Sequence, residues 1–240
     1  MRRFFLENLD PSVPVGSILD VPDELLHRIK NVLRLDDGDT VEFIDGKGSI
    51  VEAEMFSNGK NKDFRTRSIK TVKREKPLIG VAVSLIRRER FDLLVEKAVE
   101  LGADVIIPIE SRYSRPYGSE SYPKLCDRWQ KIADQALSQC ERPFKCEIRN
   151  VVKIEDVISN KDFDEKAFFH FGVEKLNNDL IKKGRSHLFI IGPEGGFSPD
   201  EVELLNASKI KAYSLTDNIL RTETAVLYVL SVSDFLVNKN

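Results

Sequence analysis

The chain has 240 residues, of which 41% are hydrophobic and 32% charged. That balance supports a buried core and excludes a chain disordered by composition, and the length allows one large domain or two unequal ones. The formal net charge of −2 excludes a uniformly basic nucleic-acid binder, so any phosphate-binding surface must be local. The sequence has no apolar run of the length a membrane helix needs, about 18 residues, and the apolar stretch after Arg2-Arg3 is too short for a signal-peptide core. Cys126, Cys140 and Cys146 are odd in number and lack metal-ligand spacing, which points to reduced thiols, a cytoplasmic protein and no metal site.

In chain order, Asp23–Leu35 carries a helical stripe of Leu25, Leu26, Ile29, Val32 and Leu33. Segments 40–44 and 49–56 alternate as strands do, and Asp45-Gly46-Lys47-Gly48 between them reads as a hairpin turn. Segment 64–72 suits a strand with one wet face. Residues 60–76 hold eight basic and two acidic side chains, a local charge of +6. Such a run is most often a solvated face, but it is also able to track phosphates. The charged segment 73–77, ending in Pro77, places a domain boundary between a β-rich module at 1–72 and a larger domain at 77–240.

From Leu78 the pattern becomes alternating strands and helices. Strands are expected at 78–85, 104–109, 144–148, 166–171, 187–191 and 210–215. Helices are expected at 88–101, 122–141, 153–160, 174–183, 199–207 and 222–238. This alternation predicts an α/β domain with a mostly parallel sheet, whose ligands bind in loops beyond the carboxyl ends of strands.

Two such loops stand out. The apolar strand 187–191 runs into Gly192-Pro193-Glu194-Gly195-Gly196-Phe197, followed by a helix start with Ser198 as cap, Pro199 at the first position and Glu201 closing a capping box. Glycines there expose backbone N–H groups to a ligand. The spacing fits neither a P-loop nor a dinucleotide fingerprint, and Glu194 disfavours a pyrophosphate, so a neutral or cationic ligand suits it better. The second loop, Leu215–Ala225, carries Arg221 and Glu223 at the mouth of an apolar helix. An ordinary strand–helix turn and a helix-start ion pair are the plain alternatives for these two segments.

Together, Gly192–Phe197 and Ile219-Leu220-Arg221-Thr222-Glu223-Thr224-Ala225 resemble the SPOUT superfamily, specifically the RsmE family that methylates N3 of a uridine in 16S ribosomal RNA. Supporting matches are Lys97–Gly102, Ile106-Ile107-Pro108, Arg128–Ala133 and, near the start, Arg2–Phe5, His27, Val32–Leu35 and Gly38-Asp39. The resemblance implies a small PUA-like β-barrel domain before a trefoil-knotted parallel-sheet α/β domain. It also implies a homodimer, S-adenosylmethionine as cofactor, and 16S rRNA of the small ribosomal subunit as partner. The cofactor would lie among Phe171, Gly172, Gly192, Pro193, Glu194, Gly195, Gly196, Leu215, Thr216, Asn218, Ile219 and Leu220. Arg221 and Glu223 become catalytic candidates: Arg221 to stabilise the uracil anion, Glu223 to orient Arg221 or accept the proton. Arg2, Arg3, Arg34, Arg65, Arg67 and Lys70 become RNA-binding candidates. Thr216 and Asn218 depart from the family's usual glycine and arginine, which leaves room for a different RNA target or a catalytically weak RNA-binding protein on the same fold. The absent dinucleotide fingerprint counts against an unrelated nucleotide-binding enzyme.

Overall fold

The computed structural model describes residues 2–29, 35–59 and 61–239. They fall into two units, Met1–Arg74 with Leu137–Lys145, and Glu75–Ala136 with Cys146–Asn240. The short return segment 137–145, placed by the sequence pattern in the larger domain, thus belongs with the smaller unit.

The first unit contains β1 (Arg2–Phe5), β2 (Ile18–Leu19), α1 (Asp23–His27), β3 (Thr40–Ile44), β4 (Ser49–Asn58) and β5 (Asn61–Thr71). They form a sheet in the order β1-β3-β4-β5-β2, antiparallel except for β1 beside β3. The expected turn between β3 and β4 is closed by the Asp45 carboxylate, which accepts from Lys47 N and Ser49 N. Gly48 sits at φ 109°, and a Cβ there would lie 2.4 Å from the Val72 carbonyl, so only glycine fits. Phe43 packs edge-on to Phe64 at 5.1 Å, over Val41, Val51, Ala53 and Met55. Each of the larger of these side chains contributes roughly 1.5–3 kcal/mol by leaving water. Strands β1 and β2 are not signalled by alternation, being too short to show a period. Residues 30–34 of the helical stripe, Arg34 among them, lie outside the described residues.

The second unit holds β6 (Ile79–Ser84), α2 (Arg88–Glu100), β7 (Val105–Glu110), α3 (Tyr122–Gln139) up to Ala136, β8 (Glu147–Ile148), β9 (Val152–Lys153), α4 (Ile154–Ser159), β10 (Glu165–Phe169), β11 (His187–Ile191), α5 (Pro199–Ala207), β12 (Lys211–Tyr213) and α6 (Thr222–Lys239). Its sheet runs β12-β10-β11-β6-β7-β8, with β9 also on β7, and every ladder is parallel. Strands β6 and β11 are buried at every position, which accounts for their continuous apolar runs. Gly80 admits the Phe163 ring, which would stand 2.5 Å from a Cβ. No helix among the described residues is long and apolar enough to cross a membrane.

The expected helix at 174–183 does not form. Only a short 3-10 turn, Asn178–Leu180, occurs there. The backbone before it is already paired: Leu176 N donates to Ser214 O and Ser214 N to Glu174 O. The Asn177 side chain then accepts from Asp179 N, the local competition by which Asn and Asp disfavour helix interiors.

His187 opens β11 at 2% exposure, and its Nε2 accepts from Lys182 N at 3.0 Å. Burial pushes its pKa below the ordinary 6.5, against a smaller upward pull from the Arg185 carbonyl. As pH falls through 6.5 the unfolded chain therefore takes up a proton that the folded chain refuses, and stability declines. His187→Gln retains an acceptor for Lys182 N. Its melting temperature should fall less between pH of about 7.5 and about 5 than that of the parent chain, as read by calorimetry; an equal fall would remove His187 as a source of acid sensitivity.

Candidate functional site

Because all strands run the same way, the segments following β10, β11 and β12 leave at one edge of the sheet. Phe169 pairs with Ile191 on one side and Tyr213 on the other, so the three segments start level. Between them lies a cavity of about 300 Å3, lined by Phe169–Phe171, Ile191–Gly196, Ser214–Thr216, Asn218–Leu220, Thr222 and Ala225. It gathers every cofactor candidate read from sequence except Gly172, which stands outside it in a turn at φ 81°. A larger cavity of about 470 Å3 lies among Glu165, His187 and Lys211, at the amino ends of β10, β11 and β12. Parallel sheets bind ligands at the opposite ends, so size does not decide the site.

The glycine loop is held from several directions. Gly196 takes φ 72° and donates its N–H to the Pro193 carbonyl at 2.9 Å, closing a tight turn. A Cβ on Gly192 would stand 3.3 Å from the Phe197 ring and the Gly196 carbonyl carbon. Gly195, by contrast, has an ordinary backbone, and its missing Cβ faces the Tyr113 side chain at 3.4 Å. Phe197 is buried and meets Phe168 edge-on at 6.4 Å. Beyond it, Ser198 and Glu201 form the expected capping box, with Pro199 at the first turn of α5. The other Glu201 oxygen accepts from Arg112 N. The Thr222 hydroxyl, at the start of α6, donates to the Gly192 carbonyl at 3.0 Å.

Thr216 lines the cavity, but its hydroxyl turns back on its own loop. It donates to Asn218 O at 2.8 Å and accepts from Asn218 N at 3.2 Å. The β-hydroxyl therefore braces the turn that a glycine would leave free. Lys175 pairs with Asp217 beside it.

The two catalytic candidates separate. Arg221 is exposed and lies outside the cavity lining, and among the described residues no ion pair reaches it. Glu223 is buried at 9% exposure, and its cation is Arg90, not Arg221: Arg90 Nε stands 3.8 Å from Glu223 Oε1. Arg90 Nη1 also bonds Glu194 Oε1 of the glycine loop at 2.9 Å. Arg90 carries no motif signal; it and Glu194 are 104 residues apart in sequence, and only the fold joins them. His170 is a further lining residue, half-buried.

In the smaller unit, the RNA-side candidates also divide. Arg3 is mostly buried and pairs with Glu42 at 2.7 Å, with a second contact to the Glu141 carbonyl. Arg67 is exposed and pairs with Glu54. The Arg65 guanidinium lies over the Phe56 ring at 4.4 Å. Arg2 and Arg65 are exposed and Lys70 is on the wet side of β5, while Phe4 is in the core.

Fold and site together define a parallel-sheet α/β protein with a small-molecule cleft at the carboxyl ends of its strands. Residues 74–234 match the model of the RNA methyltransferase domain, and the chain belongs to that family of enzymes. It is 28% identical to the ribosomal RNA small subunit methyltransferase E of Bacillus subtilis, over 98% of this chain and 96% of the relative. It is 31% identical to the protein of the same name from Rickettsia conorii, over 87% of this chain and 86% of the relative. The crystal structure of the Neisseria gonorrhoeae ribosomal RNA small subunit methyltransferase E bound to S-adenosyl methionine superposes with a TM-score of 0.87, at 26% identity and covering 98% of both chains.

Proposed function

We propose that this chain transfers a methyl group from S-adenosylmethionine to N3 of one uridine in 16S rRNA of the small ribosomal subunit. The observation that carries this reading is the convergence of the glycine loop and the Ser214–Leu220 loop on one cleft, in a chain of the RNA methyltransferase family. The cleft suits the cofactor chemically. Gly192 and Gly195 present bare backbone, Phe171, Leu215, Ile219 and Leu220 give apolar walls, and Glu194 supplies negative charge toward a sulfonium. Bound there, S-adenosylmethionine supplies an electrophilic methyl carbon.

The protein's own part is to align the base and stabilise its anion, since uridine N3 has no free lone pair until its proton leaves. Arg221 is exposed between the cleft-lining Leu220 and Thr222, which supports reading its guanidinium as the group that meets the uracil oxygens and favours that anion. Glu223, buried and paired with Arg90, does not orient Arg221 by an ion pair; its part runs through Arg90. N3 lies on the pairing edge, so the uridine must be unpaired or flipped out.

The five-stranded sheet of the first unit supports reading residues 1–72 as a PUA-like RNA-binding β-barrel domain, with Arg65 and Lys70 as its clearest phosphate contacts. A trefoil knot in the 77–240 domain is supported by the path of the chain. It leaves β12 beside β10, yet Thr222 bonds Gly192 at the end of β11. Homodimerisation is supported by α6, where Val226, Val229 and Leu230 are buried while Tyr228 and Phe235, on one face of the helix, stay exposed at 39% and 63%.

Gly195→Val presses on the Tyr113 side chain, already 3.4 Å from the Cβ position, and by displacing the glycine loop should abolish calorimetric binding of S-adenosylmethionine. Arg221→Ala should bind it almost normally yet lose roughly a hundred- to a thousandfold in single-turnover rate on 16S rRNA, the usual cost of one anion-stabilising donor. Loss of cofactor binding in Arg221→Ala, or an unchanged rate, would overturn its catalytic assignment.

Charge removal at Arg65 and Lys70 should flatten the plot of log RNA affinity against log salt, by roughly 0.7 for each single-strand phosphate that is no longer neutralised. Arg67→Gln should change that slope less, because Glu54 already engages Arg67. An unchanged slope in all variants would assign the strand to plain solvation.

Light scattering at micromolar concentration should give about twice the 27.4 kDa chain mass, and Phe235→Glu should shift it toward the monomer. A monomeric parent chain would refute the dimer.

A further inference from the structure

Arg90 projects from the first turn of α2 to two carboxylates that belong to different elements. One is Glu194 in the glycine loop, at 2.9 Å; the other is Glu223 in the first turn of α6, at 3.8 Å. The three side chains differ in depth: Glu194 is 42% exposed, Arg90 30% and Glu223 12%. Glu223 Oε2 is buried with no hydrogen-bond partner among the described residues. A carboxylate at that depth depends on its neighbouring cation, and removing one partner of such a pair is far more costly than the pair is worth. Without Arg90, moreover, Glu194 and Glu223 lose the cation they share, and Glu194, the more exposed of the two, is the one carried on a loop.

We infer that Arg90 is a positioning residue for the cleft: its guanidinium ties Glu194, and with it the glycine loop, to the buried Glu223 at the start of α6. The inference rests on the cofactor reading above for its ligand, but its mechanical content does not. The loop is joined to α6 at one end by the Thr222–Gly192 hydrogen bond. Arg90 supplies the second fastening, at Glu194, on the turn that Gly196 and Pro193 close. A planar guanidinium is able to face two carboxylates at once; an ammonium on a flexible stem holds them less well. The trio keeps one net negative charge beside the cleft, matched to a ligand with a cationic sulfur.

The test compares calorimetric affinities for S-adenosylmethionine and for S-adenosylhomocysteine, which lacks the sulfonium charge, in Arg90→Gln, Arg90→Lys, Glu194→Gln and the double variant Arg90→Gln/Glu194→Gln. If Arg90 acts by placing the loop, Arg90→Gln should weaken both ligands by a similar factor, about tenfold or more, and Arg90→Lys by less. The double variant should be no weaker than Arg90→Gln alone, because the two residues act through one contact. Amide exchange in the ligand-free protein gives a readout independent of any cofactor: Gly195 and Gly196 should exchange faster in Arg90→Gln while α5 and β11 keep their protection. Should Arg90→Gln destabilise the whole chain through the orphaned Glu223, Arg90→Gln/Glu223→Gln restores a neutral interior and repeats the loop measurement.

Unchanged loop exchange with unchanged affinities would overturn the proposal, as would fully additive losses in the double variant. A loss confined to S-adenosylmethionine would overturn it too, since that pattern reports charge and not placement. If the parent chain binds neither compound the cofactor reading fails, and the exchange experiment still decides the role of Arg90.

Discussion

The site depends on one constraint above the others: β11 is held in parallel between β10 and β6, buried at all five positions. With every ladder parallel, the carboxyl ends of β10, β11 and β12 come out level, through Phe169 beside Ile191 and Tyr213. Residues 169–171, 192–196, 214–216 and 218–220 thereby share a cleft although the three segments are about twenty residues of chain apart. The packing beneath them sets where that edge lies. Leu188, Ile190, Phe168 and Phe197 belong to one core cluster with Leu205 of α5, so the glycine loop is anchored at its far end by Phe197 and the helix that follows. A close-packed core of this kind leaves little room for the loop to slide.

The electrostatics follow the same geometry. Glu223 stands in the first turn of α6, where the partial positive charge of a helix amino terminus favours an acid, and Arg90 reaches it from the first turn of α2. An isolated carboxylate at that depth is unfavourable, and the pair is retained at a place where it also touches the ligand loop. In the smaller unit the charge of the basic strand is partly neutralised internally. Arg67 faces Glu54, Lys62 lies near Asp36 and Asp37, and Arg3 is committed to Glu42. What remains for phosphates is narrower than a count of charges suggests.

Membership of the RNA methyltransferase family makes sense of a cleft whose glycine loop lacks the spacing of a nucleotide-phosphate loop. Its walls combine glycine backbone, apolar side chains and a few polar ones such as His170, Thr216 and Asn218, and the carboxylate among its lining residues, Glu194, suits a ligand that carries positive charge. At Thr216 the polar part of this wall turns inward: the hydroxyl bonds to Asn218 of its own turn.

Much of this is legible along the chain because it depends on short-range chemistry. Continuous apolar runs mark β6 and β11, the Asp45–Gly48 turn marks the hairpin, and Ser198-Pro199 with Glu201 marks the start of α5, each set by bonds within a few residues. The glycine loop is legible for the same reason. Segment 174–183 reads as a helix and is not one because its backbone pairs with Ser214, some forty residues on, a competitor that no local periodicity contains. The partner of Glu223 is hidden likewise: Arg221 is its neighbour in sequence, but Arg90 is the cation that the fold delivers. By itself the sequence determined the class of fold and the two loops that meet at the cleft. Only the tertiary structure decided which charges face one another, because ion pairs form between surfaces brought together by packing, across more than a hundred residues of chain.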